Sequence, residues 1–190
     1  MKIDKGAILL EDEKIFLRVL TIEDITEDYI NGLNDDEVNR YLVNVRINAQ
    51  TRESVEGFIR TNTNEPSSVF LGIFIKDEVD SFIGTLRISG IDLFHYLASV
   101  GICIFDKRSW KKGYAVRSLG MVKEYLFNSL GLHYIEAGVY SENISSLKLF
   151  KSAGFTESHR LKDKFRHINS FEEVIIFKAL NPSFDNSLLK

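Results

Sequence analysis

Residues 98–126 contain three features in succession. An apolar run typical of a strand is followed by a turn with a glycine and basic residues, and then by a segment whose apolar residues recur at helical spacing. The turn itself reads SWKKGYA over residues 109–115. At the start of a helix the first N–H groups have no acceptors within the helix, and together with the helix dipole they attract an anion. Four cations lie in or beside the turn: Lys107, Arg108, Lys111 and Lys112. The segment therefore requires a fold in which a strand leads into a helix, and it predicts a phosphate-binding site there.

The charge and cysteine content of the chain argue against several classes of protein. A net charge of −3 disfavours a general nucleic-acid partner, and no apolar stretch reaches the roughly 20 residues of a membrane span. The single cysteine, Cys103, excludes an internal disulfide and favours a reducing compartment. The first residues lack the apolar core of a secretory signal. We therefore expect a cytoplasmic protein without nucleic-acid or membrane partners, and a homodimer is left open.

The chain contains no linker and no repeat, so we expect one domain over residues 1–180 and a loosely held tail over residues 181–190. The residue patterns predict strands at 15–20, 69–75, 81–88, 98–105, 134–139, 155–159 and 174–177, with a polar connection at 76–80. They predict helices at 22–33, 35–42, 115–126 and 143–153, the last with Gly154 as its C-terminal cap. A further helix is predicted to begin after Thr51, its N-terminal cap. This order gives an α+β sandwich with a central mixed sheet.

Two segments resemble motifs of the GNAT superfamily of acyl-CoA-dependent N-acetyltransferases. WKKGYA at 110–115 is similar to the family's cofactor motif, Arg/Gln-x-x-Gly-x-Gly/Ala. Trp110 replaces the usual Arg or Gln, as in the branch with ribosomal-protein N-terminal acetyltransferases. NISS at 143–146, with Gly154 and Phe155, resembles the family's Asn-x-x-Ser…Gly-Phe segment. The likeness covers residues 15–179 and implies an α/β/α sandwich whose mostly antiparallel sheet is splayed at the cofactor site. It implies direct acetyl transfer from acetyl-CoA to a primary amine in a ternary complex, without a metal.

The resemblance also implies which residues hold the cofactor. Gly113 would contact the pyrophosphate of coenzyme A through its backbone, and Lys111 or Lys112 would contact a phosphate. The expected N–H donors are those of Lys112, Gly113, Tyr114 and Ala115. The backbone of Cys103, Ile104 and Phe105 would face the pantetheine arm and hold the thioester oxygen. Asn143 would bond the arm, although it is also a plausible helix cap. Cys103 itself is not expected to act as a nucleophile.

The catalytic residues are less determined by the sequence. Many relatives carry a tyrosine at the position of Phe150 that protonates the departing thiolate, which phenylalanine cannot do. In the ribosomal-protein branch a serine at the position of Ser146 lies near the sulfur, so the resemblance implies that Ser146 is the acid. The amine must lose a proton to attack. Candidate bases are Glu136 on a predicted strand and His95 in a predicted turn, with Glu172 and Glu173 as further candidates. The segment 162–167 has no glutamate, in contrast to the ribosomal-protein branch.

The acceptor amine is left open among three classes. The aromatic segment 94–96 together with Arg87 suits a polar ring such as an amino sugar, and a peptide N-terminus or a polyamine remains as an alternative. A non-enzymatic binder of a phosphorylated ligand would explain the glycine turn but not the segment 143–146. A nucleic-acid-binding module built on the basic cluster is opposed by the acidic total charge.

Overall fold

A computed structural model of the chain describes residues 3–76, 82–167 and 169–189. Its strands form one eight-stranded sheet in the order β1-β2-β3-β4-β5-β6-β8-β7. The strands are β1 (Leu9–Glu11), β2 (Ile15–Val19), β3 (Val69–Ile75), β4 (Phe82–Asp92), β5 (Leu97–Ile104), β6 (Tyr134–Tyr140), β7 (Thr156–His167) and β8 (Ser170–Leu180). Among these strands β5 and β6 run parallel, and the other neighbouring pairs are antiparallel. The mixed, mostly antiparallel sheet expected from the sequence is confirmed.

Helices cover both faces of the sheet and complete a three-layer sandwich. They are α1 (Glu27–Asn34), α2 (Asp36–Asn39), α3 (Val43–Arg46), α4 (Arg52–Asn64), α5 (Tyr114–Glu124) and α6 (Ile144–Ser152). One core cluster joins the sheet to buried residues of α5 and α6, including Leu119, Val122 and Phe150. The other joins it to α1 and α4 through residues such as Tyr29 and Ile59. We call the second side the α1–α4 face.

The first predicted helix is shorter than the sequence suggests. The box formed by Thr21 and Asp24 closes a 3-10 turn, because the Asp24 carboxylate accepts the N–H of Thr21 at 2.8 Å and also binds Arg18. Helix α1 begins only after Thr26, whose side chain accepts the N–H of Tyr29 at 3.1 Å. The predicted helix at 35–42 likewise ends early, because α2 stops at Asn39. The separate helix α3 begins only at Val43.

The last two strands are longer than predicted. The predicted strand at 155–159 begins one residue before β7, and the one at 174–177 lies within β8. The two strands form a hairpin of 12 and 11 residues. Strand β1 was not expected, because its three residues are too short to show an alternating pattern. The predicted strand at 81–88 is extended to Asp92. The connection at 76–80 lies mostly outside the described residues.

The C-terminal segment begins with two anchored residues. Asn181 is buried, and its amide donates to the carbonyl of Leu132 at 3.0 Å. The ring of Phe184 packs against Tyr96 and His133, with centroids 5.1 and 4.8 Å apart. The start of the segment that was expected to be a loosely held tail therefore contacts the residues just before β5 and β6. Within 3–76, 82–167 and 169–189, no helix has both the length and the apolar character that a bilayer crossing requires.

Candidate active site

The sheet divides between β5 and β6. The two strands pair over three residues each, with Leu97 opposite Tyr134 and Ser99 opposite Glu136. Beyond that rung β5 continues to Ile104 along β4, and β6 continues along β8 over its whole length. A gap therefore opens between β5 and β6, and it widens toward the glycine turn that follows β5. This is the splay that the resemblance implies.

Hydrogen bonds at both ends of β5 show which of its backbone groups face the gap. Tyr134 donates its N–H to the carbonyl of Tyr96 at 3.0 Å, so the even-numbered residues turn toward β6. Phe105 donates its N–H to Ile83 of β4 at 3.0 Å, so the odd-numbered residues turn toward β4. Backbone groups alternate sides along a regular strand. Of the three predicted gap-facing residues, Ile104 thus faces the gap.

The prediction is wrong for Cys103 and Phe105, because both fall on the β4 side of this alternation. Ile102, which the sequence reasoning missed, faces the gap together with Ile104. The side chain of Phe105 is buried in the α1–α4 cluster, and Cys103 packs against the same cluster. Burial raises the pKa of the Cys103 thiol to about 12. The thiol is therefore protonated at neutral pH, in keeping with the expectation that it is not a nucleophile.

The glycine turn ends β5 with two residues in the left-handed region. Lys111 has a φ of 61° and Gly113, the N-cap of α5, has a φ of 84°. No side chain caps the helix, and the first intrahelical bond runs from Arg117 N to the Gly113 carbonyl at 3.1 Å. The N–H groups of Tyr114 and Ala115 consequently lack acceptors within the helix. A Cβ built on Gly113 meets no atom within 4 Å. This open, donor-rich concavity fits a phosphate.

Two of the four predicted cations are paired with carboxylates, and two are not paired with any carboxylate that the structure describes. Lys107 binds the carboxylate of Asp35 at 2.6 Å, and Arg108 binds that of Asp106 at 2.9 Å. Lys111 and Lys112 are exposed, and no carboxylate of the described residues lies within ion-pair distance of them. Their charge therefore remains free to face an anion at the turn.

The side chain of Trp110 is hydrogen-bonded to the end of the strand that precedes the turn. Its indole Nε1 donates to the carbonyl of Ile104 at 2.8 Å. This contact supports a structural role for Trp110 and occupies the last carbonyl of β5.

Helix α6 begins beside the open end of the gap. Asn143 is its N-cap, and the Oδ1 atom accepts the N–H of Ser146 at 3.1 Å. The amide nitrogen of Asn143 has no acceptor among the residues that the structure describes, so the cap leaves one donor available. Ser146 is half-buried and shares a helix face with the buried Phe150 and Ala153. Its hydroxyl therefore lies on the side of α6 that faces the sheet.

The two main candidate bases lie in different places. Glu136 is half-buried at the closed end of the gap, where its Oε1 atom accepts the hydroxyl of Ser99 at 3.2 Å. His95 lies in the turn before β5, with 63% of its side chain exposed and Nδ1 2.8 Å from Asp92. It precedes the first residue of β5, Leu97, and therefore lies beyond the closed end of the gap. The geometry favours Glu136 over His95.

The grouping that suggested an amino sugar does not form. Arg87 lies opposite Gly101, and its Nε atom donates to Asn62 of α4 at 2.8 Å. The turn at 94–96 precedes β5, whose first residue, Leu97, lies four residues or about 13 Å from Gly101. In that turn the ring of Phe94 is 83% exposed. The aromatic turn and Arg87 therefore do not line one pocket.

Comparisons with known proteins agree with this geometry. Residues 14–156 match the model of a family described as "Acetyltransferase (GNAT) domain". The chain is 28% identical over 177 residues to "Uncharacterized N-acetyltransferase p20" of Bacillus licheniformis, covering 92% of this chain and 97% of that protein.

Solved structures share the fold. The spermidine N-acetyltransferase of Vibrio cholerae, in complex with CoA and spermine, has a TM-score of 0.79 at 20% identity, over 91% of this chain and 99% of that one. The ribosomal-protein-S5-alanine acetyltransferase of Vibrio fischeri has a TM-score of 0.74 at 19% identity, over 94% and 99%. At such identities these likenesses show the fold alone.

Proposed function

The chain belongs to the GNAT family of acetyltransferases, and from this premise we propose that it transfers an acetyl group directly from acetyl-CoA to a primary amine while both are bound. The gap between β5 and β6, which ends at the glycine turn, supports this proposal most strongly. It would offer an extended ligand the gap-facing backbone groups of β5 and a phosphate site at one end. The single cysteine favours a reducing compartment, so we propose the cytoplasm as its location.

The residues present fit coenzyme A. The N–H groups at Gly113, Tyr114 and Ala115, with the ammonium group of Lys111 or Lys112, would bind the diphosphate. The arm would lie along β5, where Ile102 and Ile104 turn their backbone groups toward the gap. The free amide nitrogen of Asn143 would donate to a carbonyl of the arm. Each charge-assisted hydrogen bond at the phosphates contributes about 1.5–3 kcal/mol.

The acetyl transfer needs two proton movements. As the amine nitrogen bonds to the acetyl carbon, the carbon–sulfur bond breaks and the nitrogen loses a proton, which Glu136 accepts. The departing thiolate takes a proton from the Ser146 hydroxyl or from water. The N–H of Ile102 would hold the charge that develops on the carbonyl oxygen. Holding both substrates together contributes much of the rate, on the order of 7–11 kcal/mol at best.

The class of amine that accepts the acetyl group is a separate question. Proteins of this fold act on spermidine and on a ribosomal protein, according to their names. We retain amino sugars, peptides with a free N-terminus and polyamines as acceptors. The separation of Arg87 from the turn at 94–96 removes the sequence argument that favoured amino sugars.

Two measurements test the proposal. Calorimetry in separate titrations should show that coenzyme A binds and that ATP and NAD do not. Binding of ATP or NAD by a protein that does not bind coenzyme A would contradict the proposal. Release of free thiol from acetyl-CoA, followed across the three acceptor classes, should then identify the amine.

The role of Glu136 is tested by Glu136→Gln. We expect it to reduce turnover by about 100-fold, because general base catalysis is lost. Glu53→Gln, an exposed change on α4, serves as the matched control. Equal turnover in the two variants would remove Glu136 from the mechanism.

A further inference from the structure

Two glycines face each other where β5 and β6 diverge. Ser99 and Glu136 form the last paired rung, and two residues further along each strand lie Gly101 and Gly138. Both glycines are exposed. The ladders with β4 and β8 run through these positions without a register shift, so the side-chain alternation is regular here.

Both glycines lie on the α1–α4 face. The hydrogen bond between Ser99 and Glu136 shows that these two side chains share a face, and residues two apart in a strand share it too. The intervening positions, Ala98 and Val100 on β5 and Ile135 and Ala137 on β6, are buried in the cluster under α5 and α6. One face of the gap is thus closed by core residues. On the other face, neither strand carries a side chain beside the gap at this rung.

The nearest long side chain does not cover Gly101. Arg87 is its partner on β4 and lies on the same face, but Asn62 holds its Nε atom at 2.8 Å. Its guanidinium carbon lies 5.6 Å from the ring centroid of Phe58 on α4. The side chain is therefore drawn toward α4.

The fold does not require glycine at position 101. A Cβ built there meets no atom within 4 Å, and the backbone is not in the left-handed region. Gly84 is different, because a Cβ there would approach the carbonyl of Cys103 to 2.6 Å. Glycine weakens a strand interior, where a β-branched residue packs better. A glycine that packing does not demand, at the edge of a gap, points to the close approach of a ligand.

We propose that the missing side chain at Gly101 sets which amines can reach the acetyl group across the α1–α4 face. This inference rests on the proposed function. An amine entering there lies one rung from the carboxylate of Glu136, so the group that removes its proton is adjacent to its path. The cofactor arm would occupy the gap itself.

The test replaces Gly101 with alanine and with valine, and Gly120 with alanine as the control. Gly120 lies in α5, and a Cβ there also meets no atom within 4 Å. Coenzyme A affinity is measured by calorimetry, folding by thermal unfolding, and acetylation by thiol release with the amine that the acceptor screen identifies.

We expect both Gly101 variants to fold and to bind coenzyme A as the unchanged protein does. Their kcat/KM for the amine should fall by about 10- to 100-fold, more for valine than for alanine, because a small displacement of the amine is costly. Gly120→Ala should keep its kcat/KM.

Three outcomes would overturn the inference. If Gly101→Val keeps its kcat/KM, the amine takes another path although the proposed function stands. If both Gly101 variants lose their affinity for coenzyme A, position 101 belongs to the cofactor site instead. If the unchanged protein binds no coenzyme A, the proposed function fails, and this inference fails with it.

Discussion

Replacing Gly113 with alanine separates the structural role of the glycine turn from its binding role. Gly113 has a φ of 84°, and an added Cβ meets no atom within 4 Å. The structural cost is therefore the strain of an L residue in the left-handed region, about 1–2 kcal/mol. For a chain of this length that strain lowers the midpoint of thermal unfolding by about 2–8 °C.

The cost to binding should be larger. The added methyl group projects into the open side of the turn, where the diphosphate would lie against the helix N–H groups. Loss of one charge-assisted hydrogen bond, worth about 1.5–3 kcal/mol, raises the Kd for coenzyme A about 10- to 150-fold. Calorimetry with coenzyme A measures this change directly.

Gly131 provides the matched control for the backbone strain. Its φ is 66°, and a Cβ there also meets no atom within 4 Å. Gly131→Ala should lose similar stability but keep its affinity for coenzyme A. Gly113→Asn should recover stability, since asparagine tolerates this conformation, and still bind weakly. Equal affinities in the Gly113 and Gly131 alanine variants would refute the assignment of the turn.

Three further predictions concern the turn, the acid and an ion pair. Lys111→Gly should gain about 0.5–1 kcal/mol in urea unfolding, because it relieves a φ of 61°, and an unchanged stability would contradict that strain. Ser146→Ala should lower kcat by about 100-fold without weakening coenzyme A binding, whereas the exposed neighbour Ser145→Ala should not; equal kcat values would remove the acid role. Burial alone would raise the pKa of Asp24, but hydrogen bonds from Arg18 and Thr21 hold this pKa below its usual value. Stability from a depressed pKa is present above the unfolded value of about 3.9 and is lost as pH falls through the folded value. Asp24→Asn should therefore cost about 1 kcal/mol at pH 7, given the exposure of Arg18, and progressively less as the pH falls below the unfolded value; a loss that does not change with pH would oppose this.

Local features of the site could be predicted because their causes lie within a few residues. The turn at Gly113 and the start of α5 follow from the glycine and the helical spacing after it. The cap at Asn143 follows from a side chain that accepts the N–H three residues later. The GNAT resemblance placed both beside one gap, and the strand order bears out that arrangement.

Features that depend on distant pairing could not be predicted. Which β5 amides face the gap is set by contacts with Ile83 and Tyr134, so nothing in the local sequence distinguishes Ile102 from Cys103. Arg87 and the turn at 94–96 are close in sequence, but the intervening strand carries them apart. Gly101 did carry a local indication, since a lone glycine inside an apolar strand suggests a close backbone approach.

The polarity of the gap indicates what kind of ligand it suits. The last carbonyl of β5, that of Ile104, is already occupied by Trp110. The groups still available near it are mostly donors: the N–H groups of Ile102 and Ile104, the amide nitrogen of Asn143 and the N–H groups that begin α5. On β5 the carbonyl of Ile102 faces the gap as an acceptor beside them. Donors left without partners are costly, so a ligand that supplies acceptors along this path is favoured. Phosphate oxygens, amide carbonyls and a thioester carbonyl are such acceptors, whereas an ammonium group is not. The donor-rich gap therefore suits the acyl donor, and the amine needs a separate approach where a carboxylate is present, which in this chain is the Glu136 side of the sheet.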